Sequence, residues 1–318
     1  MDYYYREGFY IIQSKILEKI YKKLDANGYK GKILSATHIP DLQNDIKKYY
    51  DLKLLDPEFY NEFKPYFEFK PDVDLPEINS LFILAIPQPQ YEAVFNWNGK
   101  KISLLIPPTY LHGLRIVNQI KELLNIILNK EGYKVEYGFI PAKTLAVRSG
   151  LAEYGRNNIT YVPGMGSFHR LSAFYSDFPI EIDTWQELRL MDLCKDCSAC
   201  LRKCPTGAIP KDRILLHAER CLTFHNEHPG DIPFPDWIDS SWHNCLVGCL
   251  HCQKVCPANK KVINWTEPGP IFNEIEIKQI LNGKKLEELD PETKTKIEEF
   301  DLINYYEVIP RNLSIFLN

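Results

Sequence analysis

The sequence predicts two unlike parts in one chain. A β-sheet layered with helices comes first and a small cysteine-bound module follows, giving an α/β or α+β protein. Three observations carry this. Apolar residues recur at helical and at strand spacing in alternating stretches through residues 1–190. All nine cysteines fall between Cys194 and Cys256, with none in the rest of the 318 residues. Their spacing is that of thiolates wrapped round a metal centre, not of a disulfide framework in a small secreted domain.

Composition sets the outer limits. With 45% hydrophobic and 25% charged residues the chain is ordinarily globular, which excludes disorder, collagen and coiled coil. A chain of this length buries roughly three quarters of its unfolded surface and needs no covalent staples. A formal net charge of −4 gives no whole-molecule attraction to nucleic acid or to an anionic membrane. No run approaches the ~18 apolar residues of a membrane helix. The start, MDYYYREGFYII, has an acid at position two and no small-residue cleavage site. No secretory signal is expected, and a cytoplasmic protein is.

The elements follow in order. Phe9, Ile12, Ile16, Ile20 and Leu24 recur at helical spacing, and Gly28 is a C-terminal stop. Lys32–Ile39 reads as a short strand, and residues 40–79, rich in Tyr, Asp, Lys and Pro, as irregular structure. Ser80–Ile86 is a continuous apolar run closed by Pro87-Gln88-Pro89, as a buried strand is. The strand Ile102–Ile106 leads to a helix with Leu114, Val117, Ile120, Leu124, Ile127 and Leu128 on one face, ended by Gly132. Tyr133–Ile140 reads as a strand and Pro141–Gly150 as a helix, followed by strands at Ile159–Val162 and Phe168–Tyr175. The order is not a clean βαβ succession, so no Rossmann domain is expected. The tail after Trp265 is polar, acidic and helical in flavour. The boundaries fall at 1–185 for the α/β domain, 186–260 for the cysteine module and 261–318 for a helical tail packing on the core.

Cys194, Cys197, Cys200 and Cys204 are spaced C-x2-C-x2-C-x3-C and are followed at once by Pro205. This is the bacterial ferredoxin run, in which the fourth cysteine ligates the other [4Fe–4S] cluster. The end of the pattern repeats as Cys249, Cys252 and Cys256-Pro257. A zinc site favours two separated CxxC pairs round one tetrahedral ion, which this doubling does not resemble. Two clusters need eight thiolates. Crossed ferredoxin logic gives Cys194, Cys197, Cys200 and Cys256 to one. Cys204, Cys249, Cys252 and either Cys221 or Cys245 go to the other. Cys245, Cys249 and Cys252 also spell C-x3-C-x2-C, the spacing found in radical enzymes. Only about sixty residues follow, far short of the ~200 of a barrel, which excludes that reading.

A ferredoxin uses only about 60 residues, so the first 190 must do something else. No G-x-G-x-x-G follows a strand and no Walker loop is present, which leaves nucleotide cofactors without support. His217, His225, His228, His243 and His251 crowd the module but lack paired metal spacing, and read as core or solvated histidines.

The combined pattern resembles the epoxyqueuosine reductases. The residues that carry the likeness are Cys194–Ala208 with its CPTGA ending, Arg220-Cys221, and GCLHCQKVCPAN at 248–259. Upstream they are Leu145-Ala146, Ser149-Gly150-Leu151, Gly155-Arg156-Asn157, and Gly166-Ser167-Phe168 through Leu171 to Asp177 and Pro179, with Arg311-Asn312 near the end. The likeness is strong over residues 135–260 and rests on size and layout before them. It implies a nitroreductase-like α/β domain binding cobalamin, beside a ferredoxin-type module with two [4Fe–4S] clusters that pass electrons to cobalt. The family is related in its corrin chemistry to reductive dehalogenases. The resemblance also places the open cluster ligand at Cys221, leaving Cys245 spare, and puts corrin contacts at Glu136, Arg156, Asn157 and Ser167.

Two departures stand out. Glu136 aligns with the family's aspartate proton donor, one methylene longer and outside a Val-Asp-Ser-Ala-Pro context. Arg156 replaces a lysine. The acidic balance disfavours transfer RNA as partner, since phosphate recognition leaves a basic footprint. The expected function is therefore a cobalamin-dependent iron–sulfur reductase with a small-molecule or corrinoid-protein substrate, fed by a low-potential donor of ferredoxin or flavodoxin type, with no membrane role. The alternatives are an electron carrier without a corrin and a true epoxyqueuosine reductase acting on transfer RNA.

Overall fold

In the computed structural model, residues 2–64, 74–180, 183–213 and 215–317 are described. Helix α1 (Asp2–Ala26) ends where Gly28 takes a φ of +70°, a turn that costs other residues strain. It packs Ile16, Ile20 and Leu24 inward; the side chains of Phe9 and Ile12 lie outside the described residues. Strand β1 (Lys30–Ser35) follows. Residues 40–79 are not irregular throughout: helix α2 spans Ile39–Asp51 and α3 spans Pro57–Phe63. Helix α2 lays Ile39, Leu42 and Ile46 on the core at helical spacing, and its buried Asp45 is engaged by Arg148.

Strand β2 (Ser80–Pro87) is an inner strand of a four-stranded antiparallel sheet of order β1-β2-β8-β5, in which β8 is His169–Ser176 and β5 is Val135–Tyr137. Phe82 stands opposite Ile33 on β1 and Phe174 on β8. Leu81, Ile83 and Ala85 face one apolar core and Phe82, Leu84 and Ile86 face another, so both surfaces of the strand are covered. That double coverage is why the run shows no polar alternation.

Strands β3 (Gln90–Trp97) and β4 (Lys100–Ile106) form a hairpin at the end of this sheet. Helix α4 (Gly113–Leu128) lays Ile116, Val117, Ile120, Leu124 and Leu128 on the core it shares with α1. The strand expected over Tyr133–Ile140 is only β5 (Val135–Tyr137), because the chain passes at Gly138 so close to the Tyr175 ring that a Cβ would lie 2.8 Å from it. Helix α5 (Ala142–Arg148), the short strands β6 (Glu153–Tyr154) and β7 (Thr160–Tyr161), and β8 (His169–Ser176) complete the layer.

The module carries short helices α6 (Ala199–Lys203), α7 (Leu222–Glu227) and α8 (His251–Lys254). The tail is not wholly helical. It opens with β9 (Thr266–Phe272), which runs parallel to β3, before α9 (Glu274–Leu281), α10 (Pro291–Glu299) and α11 (Ile309–Leu317). Phe95, Leu104, Leu246, Val247, Phe272, Ile277 and Leu313 share one core, so the hairpin, the module and the tail are packed together. Among the described residues no helix is long and apolar enough to cross a membrane.

Candidate iron–sulfur centres and the adjoining cleft

The short spacers of 194–204 leave room for little more than one helical turn, so the thiols of this segment point to one side. Cys194, Cys197, Cys200 and Cys256 line a single small pocket together with Tyr161, Met191, Leu193 and Pro257. Backbone N–H groups aim at the sulfurs: Arg156 N–H donates to Cys194 Sγ over 3.4 Å, and Leu201 N–H donates to Cys200. Burial raises the thiol pKa of Cys194 and Cys200, and their neighbours in this set raise it further.

A second set gathers beside it. Burial raises Cys252 and Cys249 most, and Cys221 adds to the shift of both; Cys204 adds to those of Cys249 and Cys221. The N–H groups of Thr223 and Phe224 serve Cys221, and that of His251 serves Cys249. Cys204 Sγ lies 3.4 Å from Thr206 Oγ1. The backbone of Cys245 bridges to Leu105, its side chain is buried, and it acts on Cys249 more strongly than Cys221 and Cys204 do but on no other sulfur of the set. Burial pushes its thiol up to about 12.

All nine cysteines are free. Among the described residues no three His, Cys, Asp or Glu side chains close up on a single metal ion. Sulfur-only donor sets, served by backbone N–H groups and spread round a cavity, fit a cubane cluster, whose corners stand farther apart than the ligands of one ion.

Three of the residues expected to touch a corrin, Arg156, Asn157 and Ser167, bind the module. The Arg156 guanidinium donates to Cys194 O (2.7 Å) and Lys211 O (2.8 Å). Asn157 is buried, donates to Tyr161 Oη (3.0 Å) and hydrogen-bonds the Cys252 thiol. Tyr161 in turn reaches Cys256. Ser167 is buried, donates through Oγ to Gln253 Oε1 (2.7 Å) and through N–H to Asn259 Oδ1 (2.8 Å). Most of their polar atoms hold the cysteine loops in place, while the buried Arg156 Nε has no partner. Glu136 sits in the middle of β5 opposite Tyr175, paired with Lys121 of α4 at 2.5 Å.

Side chains that converge where the sheet end meets the module mark a candidate cleft, and sequence reasoning missed them. Tyr110, between β4 and α4, donates a short hydrogen bond to Glu227 at the end of α7. Lys143 in the first turn of α5 lies near Glu227 and Cys221. Lys143 and Glu227 reach solvent, yet burial lowers the ammonium of one and raises the carboxyl of the other. Groups that touch water while ringed by protein stand on the floor of a concavity. Tyr305 packs on Tyr110 at 5.0 Å, and Arg170 donates to Thr109 O while its buried Nε has no partner. Tyr137 and Phe139 are exposed aromatics at the end of β5. Aromatic surface beside the exposed Lys143 ammonium, whose bond to Asn158 O is a long 3.4 Å, fits a corrin, whose rim alternates methyl groups and amides. The only signals for these residues were side-chain type and contact across 117 positions of chain, as between Tyr110 and Glu227.

Comparison with known proteins bears out the resemblance. A model described as "4Fe-4S double cluster binding domain" matches residues 193–259. The chain is 33% identical over 143 residues to the epoxyqueuosine reductase of Staphylococcus aureus, covering 45% of this chain and 35% of that protein. It is 33% identical over 126 residues to that of Bacillus subtilis, covering 40% and 31%. The matched part thus spans about one third of these relatives' length. In fold the likeness is wider. A Bacillus subtilis epoxyqueuosine reductase structure, with its aspartate catalytic loop swung out of the active site, superposes with a TM-score of 0.66 at 21% identity. It covers 97% of this chain and 81% of that one. An epoxyqueuosine reductase with an epoxyqueuosine-modified tRNA-Tyr stem loop gives a TM-score of 0.65 at 21% identity with the same coverage.

Proposed function

We propose that this chain is a cytoplasmic iron–sulfur, cobalamin-dependent reductase of the epoxyqueuosine reductase kind, acting on a modified nucleoside in transfer RNA. The observation that carries it is the pairing of two four-cysteine sets with a desolvated cleft, in a fold that matches a transfer-RNA-bound reductase over nearly its whole length.

The acidic balance loses its force against RNA on inspection of where the acids lie. Glu276 pairs with Lys296 and caps α9, Glu274 pairs with Lys278, and Asp290 caps α10. These charges are spent within the tail. Local potential at a cleft, not net charge, meets a phosphate. Lys143 is exposed beside Glu227 here, and Arg170 lies behind Tyr137 and Tyr305.

In this reading Cys194, Cys197, Cys200 and Cys256 hold one cluster, and Cys204, Cys221, Cys249 and Cys252 the other. A low-potential donor of ferredoxin or flavodoxin type supplies the electrons. A corrin bound in the cleft supplies the cobalt chemistry that the protein lacks. The chain's own residues do the rest. Lys143, Tyr137 and Phe139 face the bound group, Asn157 and Tyr161 hold the thiolates between the sets, and Glu136 stands at the sheet edge as a proton source. Removing an epoxide oxygen consumes a pair of electrons and a pair of protons and releases water.

The test is anaerobic. Clusters are reconstituted, cob(II)alamin is added and the protein desalted, and the electron paramagnetic resonance spectrum is recorded. An epoxyqueuosine-containing stem loop is then reduced and its nucleosides weighed. Retained base-off cobalt and loss of one oxygen are expected. Full iron with no cobalt points to an electron carrier, and retained cobalt with an unreacted stem loop points to another substrate.

A further inference from the structure

We propose that Tyr110, backed by Glu227 and Lys143, forms a proton-delivery site on the floor of the cleft, separate from Glu136. The proposal rests on the reductase reading for its purpose, though not for its geometry. Reduction of an epoxide needs protons at a place water reaches poorly. Glu136 is committed to Lys121 at 2.5 Å on an edge strand. The Tyr110 group is on the floor itself.

Three segments remote in sequence bring it together: the β4–α4 connection, the start of α5 and the end of α7. The position of the Tyr110 hydroxyl is enforced. Gly248 has a φ of +68°, and a Cβ there would lie 2.5 Å from Tyr110 Oη, so this corner accepts only glycine. The backbone on both sides is fastened. Asn226 donates to Gly248 O over 2.6 Å, Asn312 donates to Asn226 O and Leu246 O, and Arg311 donates to His225 O, Pro229 O and Ile232 O. Such anchoring is out of proportion for a surface tyrosine–glutamate pair.

The chemistry of the three groups is complementary. Burial raises the Glu227 carboxyl above its usual range, while the Tyr110 hydrogen bond and the Lys143 charge pull it down. Such a carboxyl is poised to hold a proton nearer neutrality than an ordinary glutamate. When Glu227 takes up a proton the hydrogen bond reverses, the carboxyl donating to Tyr110 Oη and the phenol O–H turning to the cleft; in the transfer that O–H bond breaks as its proton passes to an acceptor there. The Glu227 carboxyl proton passes to Tyr110 Oη. Tyrosine ends neutral and glutamate ends as a carboxylate facing the Lys143 ammonium. The electrons of the overall reduction arrive separately, through the clusters from the low-potential donor. Tyr110 is the delivering group; Glu227 and Lys143 are positioning residues that recharge and balance it. The other charged groups near Glu227 are Tyr305, His225, His228 and Arg311, with Asp301 and Arg170 beyond Tyr305.

The test uses the full chain with both clusters reconstituted, and two readouts. In pH-difference infrared spectra, a protonated-carboxyl band titrating above the ordinary glutamate range is expected in the parent protein. It should be lost in Glu227→Gln and moved to higher pH in Lys143→Met. In turnover of an epoxyqueuosine stem loop, Glu227→Gln and Tyr110→Phe should each lower kcat at least about tenfold with KM unchanged. Glu227→Asp should recover part of the rate, and iron content should match the parent throughout. A band that persists in Glu227→Gln overturns the proposal, as does an unchanged kcat and pH profile in that variant. Should the parent itself leave the stem loop unreacted, the reductase reading fails while the infrared titration still decides the Tyr110–Glu227–Lys143 site.

Discussion

Replacing Gly166 by alanine tests how the α/β layer holds the module. Gly166 has a φ of +56°, and an added Cβ would sit 2.4 Å from Asn259 Oδ1 and 3.2 Å from Ala258 O. The left-handed backbone alone costs alanine ~1–2 kcal/mol. The clash is worse, because Asn259 cannot move freely. Its side chain accepts the Ser167 N–H (2.8 Å) and donates to Ser167 Oγ (2.8 Å) and Gln253 O (3.0 Å). At ~1 kcal/mol net for each bond disturbed, the total reaches ~4 kcal/mol. At ~2 °C for each kcal/mol in a chain of this size, Tm should fall by ~8 °C. Asn259 is three residues past Cys256, so iron should also be lost preferentially from the first cysteine set. Calorimetry and iron content on the reconstituted protein read both effects. In an Asn259→Ala background, Gly166→Ala should cost only its backbone share, leaving a coupling of ~2–3 kcal/mol. A Gly166→Ala protein with unchanged Tm and full iron would refute the reasoning.

Cys221→Ala should lose about half the cluster iron and Cys245→Ala should keep it, measured by iron content after reconstitution; the reverse outcome moves the ligand to Cys245. Arg148 donates to both oxygens of Asp45, at 2.6 and 3.0 Å, with both side chains largely buried, so Arg148→Ala should destabilise by ~3–5 kcal/mol in urea unfolding. His169 is held by Thr160 Oγ1 and Gly166 O, and burial lowers its pKa to about 4. Between that value and its unfolded ~6.5 the unfolded chain binds the extra proton, so stability falls as pH drops through this window, by at most ~3 kcal/mol. His169→Gln should flatten that part of the stability–pH curve, and an unaltered curve would remove His169 as its source.

What the sequence disclosed depended on how each element is buried. Ser80–Pro87 was legible because both of its faces are covered. Helix α2 was not read, although Ile39, Leu42 and Ile46 recur at helical spacing, because the stripe is short and set among Tyr, Asp and Lys residues. Strand β9 hides in Thr-Glu-Pro-Gly-Pro, a stretch that reads as a loop. Its prolines are tolerated because it lies at the edge of the β4-β3-β9 sheet, and Gly269 lets it pass against the Glu92 backbone. The cysteines announced themselves by spacing. The Tyr110–Glu227–Lys143 group has no local pattern, and only the folded chain brings it together.

The upstream motifs acquire a different meaning from the one their resemblance suggested. Gly155-Arg156-Asn157 and Gly166-Ser167-Phe168 look like cofactor contacts because they sit beside the cofactor domain in sequence. In the fold, Arg156 ties the Cys194 loop, Asn157 bonds Cys252, and Ser167 locks Gln253 and Asn259. These contacts are specific pairs between two layers, so residue identity is constrained on both sides of each. The first 130 residues need only present apolar faces to α1, α4 and the sheet, which many sequences satisfy. That difference explains why sequence similarity spans about half of the chain while the fold matches over 97% of it. It also sets an order of vulnerability. Changes at the seam should cost iron before they cost the sheet, whereas changes in the Tyr110 corner should cost proton transfer while leaving iron and fold intact.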